Sequence, residues 1–514
     1  MADFQRAIAN HYHTRTKYDP ETLGTKSRGL DWSKQPEPFK EYKIGTVYDL
    51  KPYIAEEKRL DPTPEIRPWL RLSQLLLCSY GITAKMVSLF GPPLYLRSAP
   101  SAGGLYPAEL YLISRGTPLL PAGLYHYQPQ THALIHFWES SEAWSELQMA
   151  CFGHPSLEHT DLALVASAIF YRSAWRYEDR AYRRILLDTG HLLGNMELSS
   201  AINSYHPHLI GGFQDLALNS LLYLDPEKEG AIAVAALSDL ETDPNPIRKG
   251  TAALPSGVHT DYPPLEDGEL LDYFHQATEI REAEPPSSPG KLTNTTPIED
   301  KYNFPFCLKI STKTSPIQLG ENLVDLEKTL LKRRSTRAYT GAELSLTELK
   351  ALLHFTYQSQ DYETQGLDSQ PDYFDLSLLE TFIVVLGMEG LEAGCYYYAP
   401  NAQELRQIRF KNFRRDVHYL CLGQDLGRDA GAVIFHTADL NQAIAKYGDR
   451  AYRYLHLDAG HLGQRLNLAA IHLELGVSGI GGFYDDRVND VLGIPADEAA
   501  IYITTLGRPR QTNS

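Results

Sequence analysis

The chain has 514 residues, 43% of them hydrophobic and 11% aromatic, enough for two or three ordinary domains with full cores. Its formal net charge of −16 argues against a surface that follows a nucleic-acid backbone, because phosphates repel it. The five cysteines (Cys78, Cys151, Cys307, Cys395 and Cys421) show no metal-ligand spacing, and an odd count without a pairing pattern suits a reducing cytoplasm.

Residues 1–64 read as a polar N-terminal arm. No apolar run follows Met1–Arg6, so no signal peptide is expected, and no stretch approaches the roughly 20 apolar residues of a membrane span. His11 and His13 could be metal ligands at i, i+2 on a strand. The expectation is instead a solvated, partly ordered arm, and no metal site is assigned. Leu72, Leu75, Leu76 and Ser79 give a helical pattern over 65–85, closed by Gly81. Ala231–Leu237 reads as a buried strand that ends a first domain, 65–240. A proline-bearing surface connection, 241–322, follows, with a short helix near Gly268–Ala277. The second domain, 323–514, opens with an amphipathic helix. Ser345 and Glu348 then form a capping-box pattern, and the last strand is Ala500–Leu506.

The two domains are copies. Tyr177–Phe213 and Tyr447–Phe483 align without a gap at an offset of 270, with 16 of 37 positions identical. Ala122–Pro129 recurs as Ala393–Pro400 at an offset of 271. Duplicated domains are expected to pack as the subunits of a dimer do.

The copies differ where chemistry would sit. Arg333-Arg334-Ser335-Thr336-Arg337 can offer guanidinium forks and a hydroxyl to a phosphate, or be a solvated basic helix end. Arg508 and Arg510 directly follow a buried strand and could converge on the same phosphate. The first copy has no equivalent. It has Pro100-Ser101-Ala102-Gly103-Gly104, small residues that let a backbone approach a flat ligand, or simply make a turn. At the 271 offset the second copy reads Pro371-Asp372-Tyr373-Phe374-Asp375, and Glu109 still matches Glu380. His191 and His461 follow Asp188 and Asp458 by three. Both copies retain the pair, which is read as structural.

PSAGGLYP, RRSTR and GIGGF with a terminal Gly-Arg resemble the FMN-dependent nitroreductase family, and within it the SagB-type dehydrogenases that include azoline oxidases. The resemblance covers roughly 65–240 and 323–510. It implies an α+β fold of two tandem nitroreductase-like, FMN-binding domains forming an intramolecular pseudo-dimer. It further implies one FMN, held by Arg333, Arg334, Ser335, Arg337, Arg508 and Arg510 of one half, and by Pro100, Ser101, Ala102, Gly103 and Gly104 of the other. Ile480, Gly481 and Gly482 would lie by the flavin ring, while Ile210-Gly211-Gly212 would be kept for the fold. A second site, pairing Glu56-Glu57-Lys58-Arg59 with Asp372-Tyr373-Phe374, would be lost.

In the azoline oxidase branch a Lys-Tyr pair is implicated in deprotonating substrate. The match is Lys446-Tyr447, which otherwise reads as a surface lysine beside a core tyrosine, and the first copy has Arg176-Tyr177. The expected function is an FMN-dependent oxidoreductase acting on a small molecule or peptide. The alternatives are an NAD(P)H-dependent nitro or quinone reductase and a non-catalytic flavin-binding scaffold. Without a Rossmann fingerprint, NAD(P)H would have to bind transiently over the flavin.

Overall fold

The computed structural model describes residues 6–23, 29–54, 62–87, 93–244, 250–281 and 300–510. Two seven-stranded antiparallel sheets share one strand order. The first runs Thr46–Asp49, Ala133–Glu139, Gly123–Gln128, Ala108–Ser114, Leu162–Ile169, Glu229–Asp239, Tyr205–Ile210. The second runs Lys309–Ser311, Glu404–Arg409, Gly394–Ala399, Glu380–Val385, Ala432–Asp439, Glu498–Gly507, Gly476–Ile480. The inner strands are buried along nearly their whole length, as expected of sheets covered on both faces. Helices form where the sequence signals lie. Arg67–Tyr80 ends at Gly81, Leu270–Ala277 lies in the connection, and Ser345 and Glu348 complete a capping box before Leu346–Tyr357.

The halves meet along two long helices, Ala181–Ile202 and Ala451–His472, which are buried all round from Ala181 to Ser200 and from Ala451 to Ala470. They cross at Gly190 and Gly460. A Cβ on Gly190 would come within 2.2 Å of the Leu457 carbonyl oxygen, and one on Gly460 within 2.4 Å of that of Leu187. Glycine is required here because backbone packs on backbone.

Buried ion pairs join the halves twice over. Asp485 accepts from Arg180 at 2.8 Å and from Arg183 at 2.7 Å. Asp215 accepts from Arg450 at 2.7 Å and from Arg453 at 2.8 Å. The repeated Asp-Arg-Ala-Tyr-Arg and Gly-Gly-Phe-x-Asp motifs are therefore the two sides of one duplicated interface. His191 bonds Gln464 and Tyr502, both at 2.8 Å, and His461 lies 3.4 Å from Glu197. These contacts also join the halves.

The N-terminal arm departs from expectation. His11-Tyr12-His13 belongs to a helix, Ile8–Arg15, and Tyr12 and His13 are buried rather than solvated. Tyr12 stacks on Phe274 with ring centres 4.3 Å apart, and His13 Nδ1 lies 3.1 Å from the Tyr452 hydroxyl. The connection helix repeats this role: His275 Nδ1 lies 3.0 Å from the Tyr182 hydroxyl. Thr16 and Thr278 receive Arg183 and Arg453 in the same way. The duplicated unit thus includes the arm, and part of the connection is the second arm.

Candidate active site

The pseudo-twofold arrangement makes two slots, each between a Gly-Gly segment of one half and a loop of the other. In the first slot Ser101 Oγ donates to Asp188 at 2.6 Å and the Ala102 amide donates to it at 3.1 Å. Gly103 and Gly104 both have φ of 68°, a conformation that favours glycine. A Cβ on Gly103 would meet the Tyr177 hydroxyl at 2.7 Å and Arg176 Cδ at 3.4 Å. Across the slot, the Gly481 carbonyl accepts from Arg184 Nη2 at 3.2 Å and from Arg180 at 3.4 Å. The Arg184 guanidinium lies 3.5 Å above the Tyr177 ring, and its buried Nε has no partner. Gly103 is exposed and Gly481 and Gly482 are half-buried. This slot is open.

The second slot is filled. Gly211 and Gly212 are buried, and a Cβ on Gly211 would meet Phe374 at 2.5 Å and Tyr454 at 2.7 Å. Phe374 stacks on Tyr454 at 5.1 Å, and the Tyr454 hydroxyl donates to the carbonyls of Gly211 and Leu254. Leu254 covers Gly212. Glu56–Arg59, expected beside this slot, lies outside the described residues.

The basic run reaches the open slot only in part. Arg333 is buried and donates to the Ser98 carbonyl and, at 3.2 Å, to that of Arg97, so it anchors the Pro100–Gly104 loop across the halves. Burial lowers its guanidinium to about 10, and the neighbouring charges of Arg334 and Arg337 act in the same direction. Arg334 turns to Thr83 of the first half. The Ser335 hydroxyl accepts from Arg333 at 3.5 Å. Arg337 is exposed and, among the described residues, enters no hydrogen bond or ion pair. The chain end runs alongside, since Thr340 donates to the Arg508 carbonyl at 2.9 Å and Arg510 to that of Ala338 at 3.0 Å. The Arg508 fork, however, is taken by Glu348 at 2.6 and 2.9 Å.

Lys446 and Tyr447 are not among the residues gathered at the open slot. Lys446 Nζ bonds Asp375 at 2.5 Å and the Tyr447 hydroxyl bonds the same oxygen at 2.9 Å, beside Tyr454 at the filled slot. Burial, then the Asp375 carboxylate, drives the Tyr447 phenol well above its ordinary range. Their counterparts Arg176 and Tyr177 stand at the open slot. Sequence reasoning missed Arg184, whose counterpart is Tyr454. The signal was a departure inside the otherwise matched repeat.

The nitroreductase family model matches residues 71–237 and again 330–508, and the chain belongs to that family. Among solved structures it is similar to a chain from Anabaena variabilis crystallised as a nitroreductase, with 67% identity, a TM-score of 0.93, and coverage of 98% of this chain and 100% of that one. A Methanocaldococcus jannaschii protein assigned to the nitroreductases is 31% identical over 196 residues, 38% of this chain and 97% of its own length. The microcin B17-processing protein McbC of Escherichia coli is 27% identical over 151 residues, 29% of this chain. The chain spans 56% of McbC. No helix among the described residues is long and apolar enough to cross a membrane.

Proposed function

We propose that this chain is an FMN-dependent oxidoreductase that carries one FMN, in the open slot between its halves. The observation that supports this reading is the contrast between the slots: an exposed Gly103 and half-buried Gly481 and Gly482, against Phe374, Tyr454 and Leu254 closed over the buried Gly211 and Gly212. The unpartnered Arg184 Nε and the positive-φ glycines suit a flat polar ring. Ser101, Ala102, Gly103, Gly104 and Ile480–Gly482 would line the ring. Ser335 and Arg337 would meet the phosphate, with Arg333 holding the loop and Arg334, Arg508 and Arg510 adding positive charge. Bound there, FMN would supply two-electron redox chemistry.

The similarity to McbC supports a SagB-type dehydrogenase with a peptide or small-molecule substrate. That reaction needs a proton acceptor, a role the resemblance gives to Lys446 and Tyr447. At the open slot the corresponding pair is Arg176 and Tyr177, and arginine does not serve as a base. Tyr177 is therefore the proton-handling candidate beside the proposed flavin. The missing lysine favours a second reading, an NAD(P)H-dependent nitro or quinone reductase, which asks for no such base. Flavin released from purified protein tests the common core: about one FMN per chain is expected, and two FMN, or none after reconstitution, overturns it. Anaerobic reduction by NAD(P)H then separates reductase from dehydrogenase, and turnover with neither class of substrate leaves the flavin-binding scaffold.

A further inference from the structure

The filled slot holds a second group of chemistry-bearing side chains, and we infer that His206, His208 and Asp372 form a binding site for one divalent transition-metal ion, of which Zn²⁺ suits the donors best. His206 and His208 alternate on the edge strand Tyr205–Ile210 of the first half, so both rings project from one face. Their ring centres lie 4.3 Å apart. Asp372 comes from the second half, and its carboxylate accepts the Leu209 amide at 3.1 Å. One donor atom from each residue lies within 4.8 Å of the other two. Bonds of about 2.0–2.1 Å need donors about 3.4 Å apart at a tetrahedral ion, so the group would draw together by up to about 1.4 Å on binding.

The hydrogen bonds around the group fit ligation. His206 Nδ1 lies 3.1 Å from Asp368, and His206 Nε2 is buried without a partner. His208 Nε2 lies 3.0 Å from the Ser238 hydroxyl, while its Nδ1 faces Asp372 at 4.0 Å. Each imidazole therefore has a partner on one nitrogen, while the second nitrogen of His208 faces Asp372 and that of His206 makes no hydrogen bond. Ligating histidines are held in this way, because the outer bond fixes both tautomer and ring orientation. Two imidazoles and a carboxylate suit Zn²⁺, with a fourth position for water.

The duplicate shows what this group replaced. At the 270 offset, His206 and His208 correspond to Gly476 and Ser478. Thr336 of the Arg-Ser-Thr-Arg run packs against Gly476 and bonds Val477 in both directions. Small residues there admit the basic run, whereas in the first half imidazoles take that space. The ion would clamp the first-half strand to the second-half segment that plugs the slot. The inference does not rest on flavin binding at the other slot.

The test uses the untagged full chain, stripped with EDTA and titrated with Zn²⁺ against a chromophoric chelator, with thermal unfolding followed in parallel. One Zn²⁺ per chain is expected, with a raised melting temperature. His206→Gln and His208→Gln should each weaken binding by more than about tenfold, and Asp368→Asn by about 10- to 100-fold at unchanged stoichiometry. Circular dichroism checks that each variant is folded. No uptake by the stripped wild-type chain, or uptake that both folded glutamine variants retain, overturns the assignment.

Discussion

Asp188 and Asp458, matched in the repeat, each hold the loop of their own half by accepting two hydrogen bonds from it. Asp188 receives the Ser101 hydroxyl and the Ala102 amide, whereas Asp458 receives the amides of Phe374 at 3.0 Å and Asp375 at 2.7 Å. One anchor presents glycines to its slot and the other a phenylalanine. Duplication kept the frame and changed what the frame carries.

The two loops should therefore respond differently to substitution. In Gly103→Val the new Cβ collides with Tyr177 at a φ that branched residues avoid, and FMN retention should weaken about tenfold or more. Phe374→Leu alters only the filled slot and should leave flavin content unchanged. Equilibrium dialysis against FMN measures both, and equal losses would remove the asymmetry argument.

Lys446 and Tyr177 separate by their effects on turnover. Lys446→Ala breaks an ion pair with Asp375 outside the open slot, so kcat with any accepted substrate should stay within about twofold. Tyr177→Phe should lower kcat by about 10²-fold or more if the hydroxyl handles a proton. A collapse of kcat in the lysine variant with retained flavin would return the role to Lys446.

The buried aspartates also set a pH dependence. Burial raises both Asp188 and Asp458 to about 7 from an ordinary value near 3.8. Between those values the folded chain holds protons that the unfolded chain releases. Their contribution to stability is full below about 4 and is lost as pH rises to 7. Asp188→Asn removes one of the two groups, so its urea midpoint should fall less steeply than that of wild type between pH 5 and 7.5. Parallel curves would mean that Asp188 is already ionised in the folded chain.

Asp215→Ala leaves Arg450 and Arg453 buried without their carboxylate, and Ile280 loses the acceptor of its amide. The expected loss is about 3–5 kcal/mol, the usual consequence of an unpaired buried charge. Urea unfolding followed by circular dichroism measures it. A loss under 1 kcal/mol would show that the interface relaxes around the arginines.

Much of this was legible in the chain. The matched repeat gave two copies of one α+β domain, because a sequence that builds one buried helix and sheet builds it again wherever it recurs. The Ser345–Glu348 cap and the Gly81 stop marked helix ends by local bonding. The loss of small residues at Asp372–Phe374 was readable, since an aromatic ring cannot occupy the space of a glycine.

Only the tertiary structure decided what faces what. Arg176 and Tyr177 stand beside Gly103 of their own half and across from Gly481 of the other, and the Lys446-Tyr447 pair falls at the filled slot by the same rule. Such pairing is made by contact across a pseudo-twofold axis, between segments as far apart as His13 and Tyr452, 439 residues, and no spacing along the chain encodes it. The buried arm, the Arg508–Glu348 pair and the meeting of His206 and His208 with Asp372 were hidden for the same reason. The sequence determined which groups exist in each copy; the packing of one copy on the other determined which of them share a site.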